Sequence, residues 1–243
     1  MKSSKQEKLD MSFDAAKHKT ILTQILKDIS LDTHLSPFLG FKGGTAVYMF
    51  YGLDRFSVDL DFDLLDDTQE DLVFEHIKKI LVSYGTLKEA HKKRYSLFFL
   101  LSYESKTHNV KVEVNRRPFG SKFEIKSYLG IPMKVMVQED MFAHKLVAMM
   151  ERMGKTNRDI YDVWFFLKNR WPIRWEIAEQ RTKMSAKKFL THCIATLEKF
   201  SDRNILSGIG ELLNEKQKAW AKVHLKKDTI FLLKVMLDSL LLF

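Results

Sequence analysis

Three aspartates alternate with apolar residues in one short stretch, Asp59-Leu60-Asp61-Phe62-Asp63. On a β-strand successive side chains point to opposite faces, so Val58, Leu60, Phe62 and Leu64 share one side and the three carboxylates share the other. Side chains two positions apart on a strand lie roughly 6.5–7 Å apart. Two carboxylates at that spacing can grip one hard divalent cation, or two cations a few ångströms apart, and they repel one another unless a cation or a basic side chain stands between them. The plainer reading is an alternating strand that shows its acids to water. Arg55 and Ser57 fall on the same face just upstream, which argues for a built site. Asp63 has no assigned role, and Asp66-Asp67 beyond it reads as an acidic loop.

Two further groups could serve the same chemistry. Lys42-Gly43-Gly44-Thr45 sits where a short apolar run turns helical. A glycine pair lets backbone N–H groups approach an anion, the helix N-terminus adds favourable partial charge, and Lys42 adds a point charge. Thr45 can cap the helix or offer its hydroxyl to a phosphate. A diglycine turn followed by a capping threonine is also common structure with no ligand. In Lys111-Val112-Glu113-Val114-Asn115, Glu113 is either a third acid beside Asp59–Asp63 or half of a surface pair with Lys111.

These residues need elements to hold them. Periodicity gives a helix from Asp14 to Ile29, a short strand at Phe38–Phe41, a helix from Thr45 to Gly52, and a strand from Ser57 to Leu65. A helix over Glu70–Ser83 and a hairpin of Tyr95–Tyr103 with Val110–Asn115 follow, turning around Lys106–Asn109. Lys134–Val137 adds a short strand. Beyond Gln138 strand signals fade, and helices are expected over Met141–Met153, Arg158–Lys168, Trp175–Arg181, Ala186–Phe200 and Ile205–Lys226, with one more to Phe243. The apolar run Ile230–Phe243 is short for a membrane span and is broken by Lys234 and Asp238, so it reads as a buried amphipathic helix. The fold class is α+β: a mixed β-sheet core with flanking helices over residues 1–135, then an all-helical part over 136–243.

Composition sets the outer bounds. Apolar residues make up 45% of 243 and aromatics 12%, enough for a real core. The formal net charge of +9 suits a polyanionic partner, nucleotide or nucleic acid. The single cysteine, Cys193, excludes an internal disulfide and a cysteine-rich zinc site. The first residues lack the apolar stretch of a signal peptide, so a cytoplasmic protein with no membrane partner is expected. His91 and His108 near loops read as ordinary histidines.

A glycine pair with Ser or Thr, a gap of ten to fifteen residues, Asp-x-Asp, and a later acid on another strand together resemble the nucleotidyltransferase superfamily with the polymerase-β-type core. Here thirteen residues separate Thr45 from Asp59. Gln138-Glu139-Asp140, Lys145, and Arg158-Asp159-Ile160-Tyr161-Asp162 resemble the later motifs of the AbiEii/AbiGii toxin family, the nucleotidyltransferase-like toxins of type IV toxin–antitoxin and phage-defence systems. Arg55-x-Ser57-x-Asp59-x-Asp61 is similar to theirs as well, and the likeness spans about Phe38 to Lys168. It implies a nucleotidyltransferase-like core in which Asp59, Asp61 and Glu113 hold magnesium, with manganese a substitute. By the same likeness Lys42, Gly43, Gly44, Thr45, Arg55 and Ser57 bind a nucleoside triphosphate (NTP), and Lys145 with Asp159 and Asp162 completes the site. Choosing between Asp159 and Asp162 is beyond the sequence, and a buried ion pair of Lys145 with either is the plainer reading.

The resemblance further implies transfer of a nucleotide to a hydroxyl, with the 3′ end of tRNA as acceptor, arrest of translation and growth, and a cognate antitoxin. The basic clusters Lys92-Lys93-Arg94, Arg116-Arg117, Lys187-Lys188 and Lys226-Lys227 would guide the RNA, although each alone reads as a solvated face. A protein hydroxyl (AMPylation), a small molecule, or a non-catalytic nucleotide- or RNA-binding role are the competing readings.

Overall fold

A computed structural model describes residues 14–104 and 109–240 of the chain. Helix α1 (Ala15–Leu31) starts at Asp14, whose carboxylate accepts the N–H groups of Ala16 and Lys17 at 3.0 Å. Its face of Leu22, Ile25, Leu26 and Ile29 is buried. Strand β1 (Leu39–Lys42) runs straight into helix α2 (Gly43–Phe50), and β2 (Asp59–Leu64) follows. Helix α3 (Glu70–Val82) leads to β3 (Thr86–Lys92), β4 (Ser96–Ser102) and β5 (Asn109–Asn115), then to the hairpin β6 (Phe123–Tyr128) and β7 (Ile131–Met136).

These strands form one seven-stranded mixed sheet in the order β3-β4-β5-β2-β1-β7-β6. Strands β1 and β2 are antiparallel, while β2 pairs parallel with β5 and β1 parallel with β7. Leu60, Val112 and Phe99 lie side by side on three adjacent strands, all buried. Phe74 of α3 packs on Phe99 with ring centroids 5.0 Å apart, so α3 covers that face. The carboxylates of β2 occupy the opposite face.

Strands β3 and β6 were not expected. Both are edge strands, rich in charge (Thr86-Leu-Lys-Glu-Ala-His-Lys92 and Phe123-Glu-Ile-Lys-Ser-Tyr128), so they carry little of the apolar alternation that marks a core strand. The turn expected around Lys106–Asn109 and His108 lie largely outside the described residues. His91 is exposed on β3, its ring 5.2 Å from that of Phe98.

The helical stretch contains α4 (Gln138–Arg152), α5 (Arg158–Lys168), α6 (Trp175–Thr182) and α7 (Ala186–Lys199), all close to expectation. The continuous helix expected over Ile205–Lys226 is absent. Short 3-10 turns occupy Asp202–Asn204 and Gly210–Leu212. Gly208 at φ +70° presses so close to Thr156 that a Cβ would lie 2.4 Å from its hydroxyl oxygen. Helix resumes only at α8 (Glu215–Trp220), started by a reciprocal Asn214–Gln217 capping box, and passes through a π-helical turn into α9 (Lys226–Ser239). The last helix is half-buried, with Ile230, Leu232, Met236 and Leu237 packed partly covered against the core, and residues 241–243 of the expected helix lie outside the described residues. Within α9 Thr229 and Leu233 are buried, whereas Phe231 and Val235 are exposed. No helix among the described residues is long and apolar enough to cross a membrane.

Sheet and helices interlock. The Phe56 N–H donates to the Leu212 carbonyl at 3.0 Å, and the Tyr161 hydroxyl donates to Asp54 at 2.8 Å. Both contacts clamp the loop that delivers Asp59.

Candidate active site

The parallel, in-register pairing of β2 with β5 builds the floor of the site. Asp59 lies beside Lys111, Asp61 beside Glu113, and Asp63 beside Asn115. Paired residues of adjacent strands share a face about 4.8 Å apart. Three carboxylates, those of Asp59, Asp61 and Glu113, are thereby drawn to one patch from two distant stretches of sequence. Asp63 turns to structure instead. Its carboxylate accepts from Lys42 and from the Asn115 amide at 2.7 Å, which ties β1, β2 and β5 together.

Lys111 shares the face of Glu113, and β5 lies between β4 and β2, so the two do not pair on a surface strand but meet at the acidic patch. The Lys111 ammonium lies 3.5 Å from Asp59 and 3.4 Å from Glu113. Burial works to lower its pKa, but Asp61, Asp59 and Glu113 together outweigh it and keep it raised. Lys111 therefore stands where a cation is wanted, neutralising carboxylates that would otherwise repel. Ser96 donates to the other oxygen of Glu113 at 2.8 Å and fixes its orientation.

On the neighbouring strand the chain turns sharply at the diglycine. Gly43 has φ +80°, and a Cβ there would fall 2.3 Å from the Asp61 carboxylate. A Cβ at Gly44 would fall 2.9 Å from the Ser57 hydroxyl. Close approach is thus why glycine stands at both positions, and α2 begins beside the acids with no side-chain cap on its first N–H groups. Gly43→Ala is expected to be doubly costly, through the left-handed backbone and through displacement of Asp61. We expect a loss of about 1–3 kcal/mol in chemical denaturation, accompanied by a larger fall in kcat than in substrate affinity.

Thr45 departs from expectation. It neither caps α2 nor lines the cavity. It is buried and hydrogen-bonds within the protein, to Ser57 at 3.0 Å and to the Asp59 carbonyl. It positions Ser57 and Asp59 rather than a phosphate. Arg55 departs in a related way. Its guanidinium is fully buried and makes a two-pronged pair with Asp162 at 2.6 and 2.7 Å, while also donating to the Phe56 carbonyl at 2.8 Å. It reaches the cavity wall beside Ser57 with its charge already matched.

The helical part contributes one wall through α4 and α5. Lys145 lies 3.0 Å from Asp159 and 2.8 Å from Asp162. Arg152 also pairs with Asp159, at 2.8 Å. Both aspartates are completely buried and do not line the cavity, so they act from behind: they hold Lys145, Arg152 and Arg55 in place. The sequence could not choose between them because both grip the same lysine. Burial alone would raise the Asp162 carboxyl, but Arg55 and Lys145 hold it well below the usual carboxylate range. Arg158, at the start of α5, reaches across to Asp59 at 3.4 Å. Asp140 belongs elsewhere: it accepts the Lys122 N–H at 2.5 Å and pairs with Arg174 at 2.8 Å, fastening α4 to two loops.

A cavity of about 350 Å³ opens between the carboxylate patch, the diglycine turn and α4, within the usual size for a ligand site. Basic side chains outnumber carboxylates along its walls. At its rim Arg117 packs against both Tyr95 and Phe119, at 5.2 and 5.4 Å from the ring centroids. Arg181 reaches the same Phe119 ring at 5.3 Å. Half-buried His144 lines the same wall; desolvation first, then surrounding cations, lower its pKa well below the ordinary value, so it is neutral near pH 7. The sequence reading missed Lys111, Arg152, Arg158, Arg181, His144 and the Tyr95–Phe119 pair as site residues. Lys111 and Arg158 stood inside noticed motifs, Tyr95 was read only as the first residue of a strand, and Phe119 lies in loop-like sequence that carries no periodic signal.

The hard oxygen donors of Asp59, Asp61 and Glu113 suit a divalent cation. Lys111, an ammonium held among all three, marks where positive charge is most favourable. Lys111→Met is therefore expected to tighten Mn2+ binding about tenfold, measured by electron paramagnetic resonance titration, since a competing cation is removed from the patch.

A family model described as the nucleotidyl transferase AbiEii toxin of type IV toxin–antitoxin systems matches residues 24–224. Among solved structures, a candidate nucleotidyltransferase from H. pylori superposes with a TM-score of 0.60 at 21% identity, covering 95% of this chain and 99% of that one. JHP933 from Helicobacter pylori gives a TM-score of 0.56 at 20% identity, covering 94% and 97%. None of the curated proteins compared with it matches the chain in sequence. The structural likenesses speak for the shared fold, the family match covers most of the sequence, and so the chain is a nucleotidyltransferase that belongs to the AbiEii family of type IV toxin–antitoxin toxins.

Proposed function

We propose that this enzyme transfers a nucleotide from an NTP to a ribose hydroxyl at the end of an RNA, foremost the 3′ end of tRNA, with Mg2+ or Mn2+ held by Asp59, Asp61 and Glu113, and that this modification halts translation and growth. The observation that carries the reading is the register of Asp61 with Glu113 against the diglycine turn. It brings carboxylates, backbone N–H groups and basic side chains to one cavity.

The hydroxyl oxygen forms a bond to the α-phosphorus, the bond from that phosphorus to the bridging oxygen breaks, and pyrophosphate leaves with the electron pair. The metal, when bound, supplies charge neutralisation at the phosphates and acidifies the attacking hydroxyl. The chain's own residues do the rest. The N–H groups of Gly43 and Gly44 face the triphosphate, with Ser57 beside them. Lys145 and Arg152 are held rigid by buried Asp159 and Asp162, and they meet the charge that accumulates on the leaving pyrophosphate. Glu113, oriented by Ser96 on one oxygen and neighboured by Lys111 at 3.4 Å on the other, lines the cavity and is suited to receive the hydroxyl proton.

The acceptor reading rests on the rim. Arg94 and Arg117 lie against the exposed Tyr95 ring, and Arg116 donates to the Arg94 carbonyl at 2.9 Å, so two of the basic clusters meet beside the mouth. Cations interleaved with aromatic rings suit a single-stranded nucleic-acid end, whose bases stack and whose phosphates pair. The clusters at Lys187-Lys188 and Lys226-Lys227 do not line the cavity. A cognate antitoxin is the expected protein partner, and the cytoplasm is where both would meet tRNA.

The test is incubation of the full chain with each α-labelled NTP in turn, with total cellular RNA and protein, with and without Mg2+. Metal-dependent label on small RNA supports the proposal. Label on protein moves the acceptor to a protein hydroxyl, and label on neither sinks it.

A further inference from the structure

We propose that Asp32, His34 and His76 form a second metal site, for a borderline divalent transition cation such as Zn2+, on the sheet face opposite the active site. His76 lies on α3, two residues beyond the Phe74 that packs on Phe99, and thus on the far side of the sheet from Asp59 and Asp61. Asp32 ends α1, and His34 follows in the turn toward β1.

The geometry is that of ligands gathered round one point. The two oxygens of Asp32 each face an imidazole nitrogen: His76 Nδ1 at 3.2 Å and His34 Nδ1 at 3.5 Å. The rings lie 4.9 Å apart, and one donor atom from each residue falls within 4.8 Å of the others. Zinc bonds of about 2.0–2.2 Å in a tetrahedron place ligand atoms roughly 3.3–3.5 Å from one another, close to the two carboxylate–imidazole separations. Hydrogen bonding alone does not explain the arrangement. Asp32 Oδ1 already accepts the His34 backbone N–H at 2.7 Å, and the His34 ring nitrogen is too distant for a good hydrogen bond to the same oxygen. A second feature points the same way. The C-terminal turn of α1 carries no basic residue, so its partial negative charge faces this cluster uncompensated. Two imidazoles and one carboxylate are a borderline donor set that favours zinc over magnesium. Exposed His34 leaves the fourth position open to water. The bound ion would staple the turn after α1 to the middle of α3.

The experiment uses the full chain stripped by chelation, with excess Mg2+ present so that hard oxygen sites are occupied, and Zn2+ titrated in competition with a chromophoric chelator. One equivalent is expected to bind with a Kd of about 10 μM or tighter, raising Tm by several degrees at saturation. His76→Gln and His34→Asn should each weaken it at least tenfold and abolish the Tm rise, while His224→Gln on the opposite part of the chain leaves both unchanged. Circular dichroism confirms that each variant is folded. Wild-type affinity in both His76→Gln and His34→Asn, equal weakening by His224→Gln, or no binding tighter than about 100 μM would each overturn the proposal. None of these readouts depends on nucleotidyl transfer.

Discussion

Asp61→Ala abolishes nucleotidyl transfer, lowering kcat by about 10³-fold or more, yet leaves the protein as stable as before or slightly more so. Both halves of that expectation come from one arrangement. Asp61 stands beside Glu113 and close to Asp59, with Lys111 their shared counter-charge. Deleting a carboxylate from a crowded acidic patch relieves repulsion in the folded state, so stability does not suffer. The same deletion removes one of the three carboxylates proposed to hold the metal. A transfer assay paired with a thermal melt reads both. A parallel loss of activity and stability would mean that Asp61 is a structural residue and that the active-site assignment is wrong.

Asp162→Ala has the largest expected effect on stability, a loss of about 3–5 kcal/mol, because removing one partner strands a buried charge. Arg55 is 1% exposed and makes two hydrogen bonds to that carboxylate, which nothing else nearby can replace. Lys145 keeps Asp159 and is less affected. Adding Arg55→Met to Asp162→Ala should restore much of the lost stability, since the orphaned guanidinium is then gone. The double variant should remain impaired in transfer, because the loop bearing Ser57 and Asp59 loses its anchor. Urea denaturation of the two single variants and the double variant checks this directly. The pair also sets an acid limit. Because the folded Asp162 carboxyl lies well below the free value of about 3.9, its contribution is fully present above that pH and fades as pH falls beneath it. Wild-type stability should therefore drop below about pH 4 more steeply than that of Asp162→Ala.

What the sequence made legible follows physical locality. The alternation of Asp59, Asp61 and Asp63 with Leu60 and Phe62 is a two-residue period, and the strand could be read from it directly. The helix Arg158–Lys168 was equally open because its apolar face repeats at helical spacing. Thr45 was misjudged because a threonine after two glycines suggests local capping, whereas its hydroxyl reaches Ser57 and Asp59 across the α2–β2 loop. Asp159 and Asp162 were rightly joined to Lys145 as a buried ion pair, but that both take part at once, with Arg152 on Asp159 and Arg55 arriving at Asp162 from a distant loop, is not written in local spacing. The helix expected over Ile205–Lys226 was misread because apolar residues there do recur, while Gly208 and Gly210 break the chain. Edge strands β3 and β6 were invisible for the reason that makes them safe: their charges keep them from pairing further.

The parallel pairing of β2 with β5 has a consequence for the order of biosynthesis. Parallel neighbours cannot be joined by a tight turn, so residues 65–108 must leave the ribosome after Asp61 before Glu113 can come alongside it. Lys145, Arg152 and the α5 aspartates emerge later still. A nascent chain halted before β5 carries a strand of unbalanced acids, and one halted before α5 lacks the aspartates that hold Lys145 and Arg152 in the opposing wall. A nucleotidyltransferase of a toxin family thus stays unarmed on the machine that makes it until more than half of it has been released.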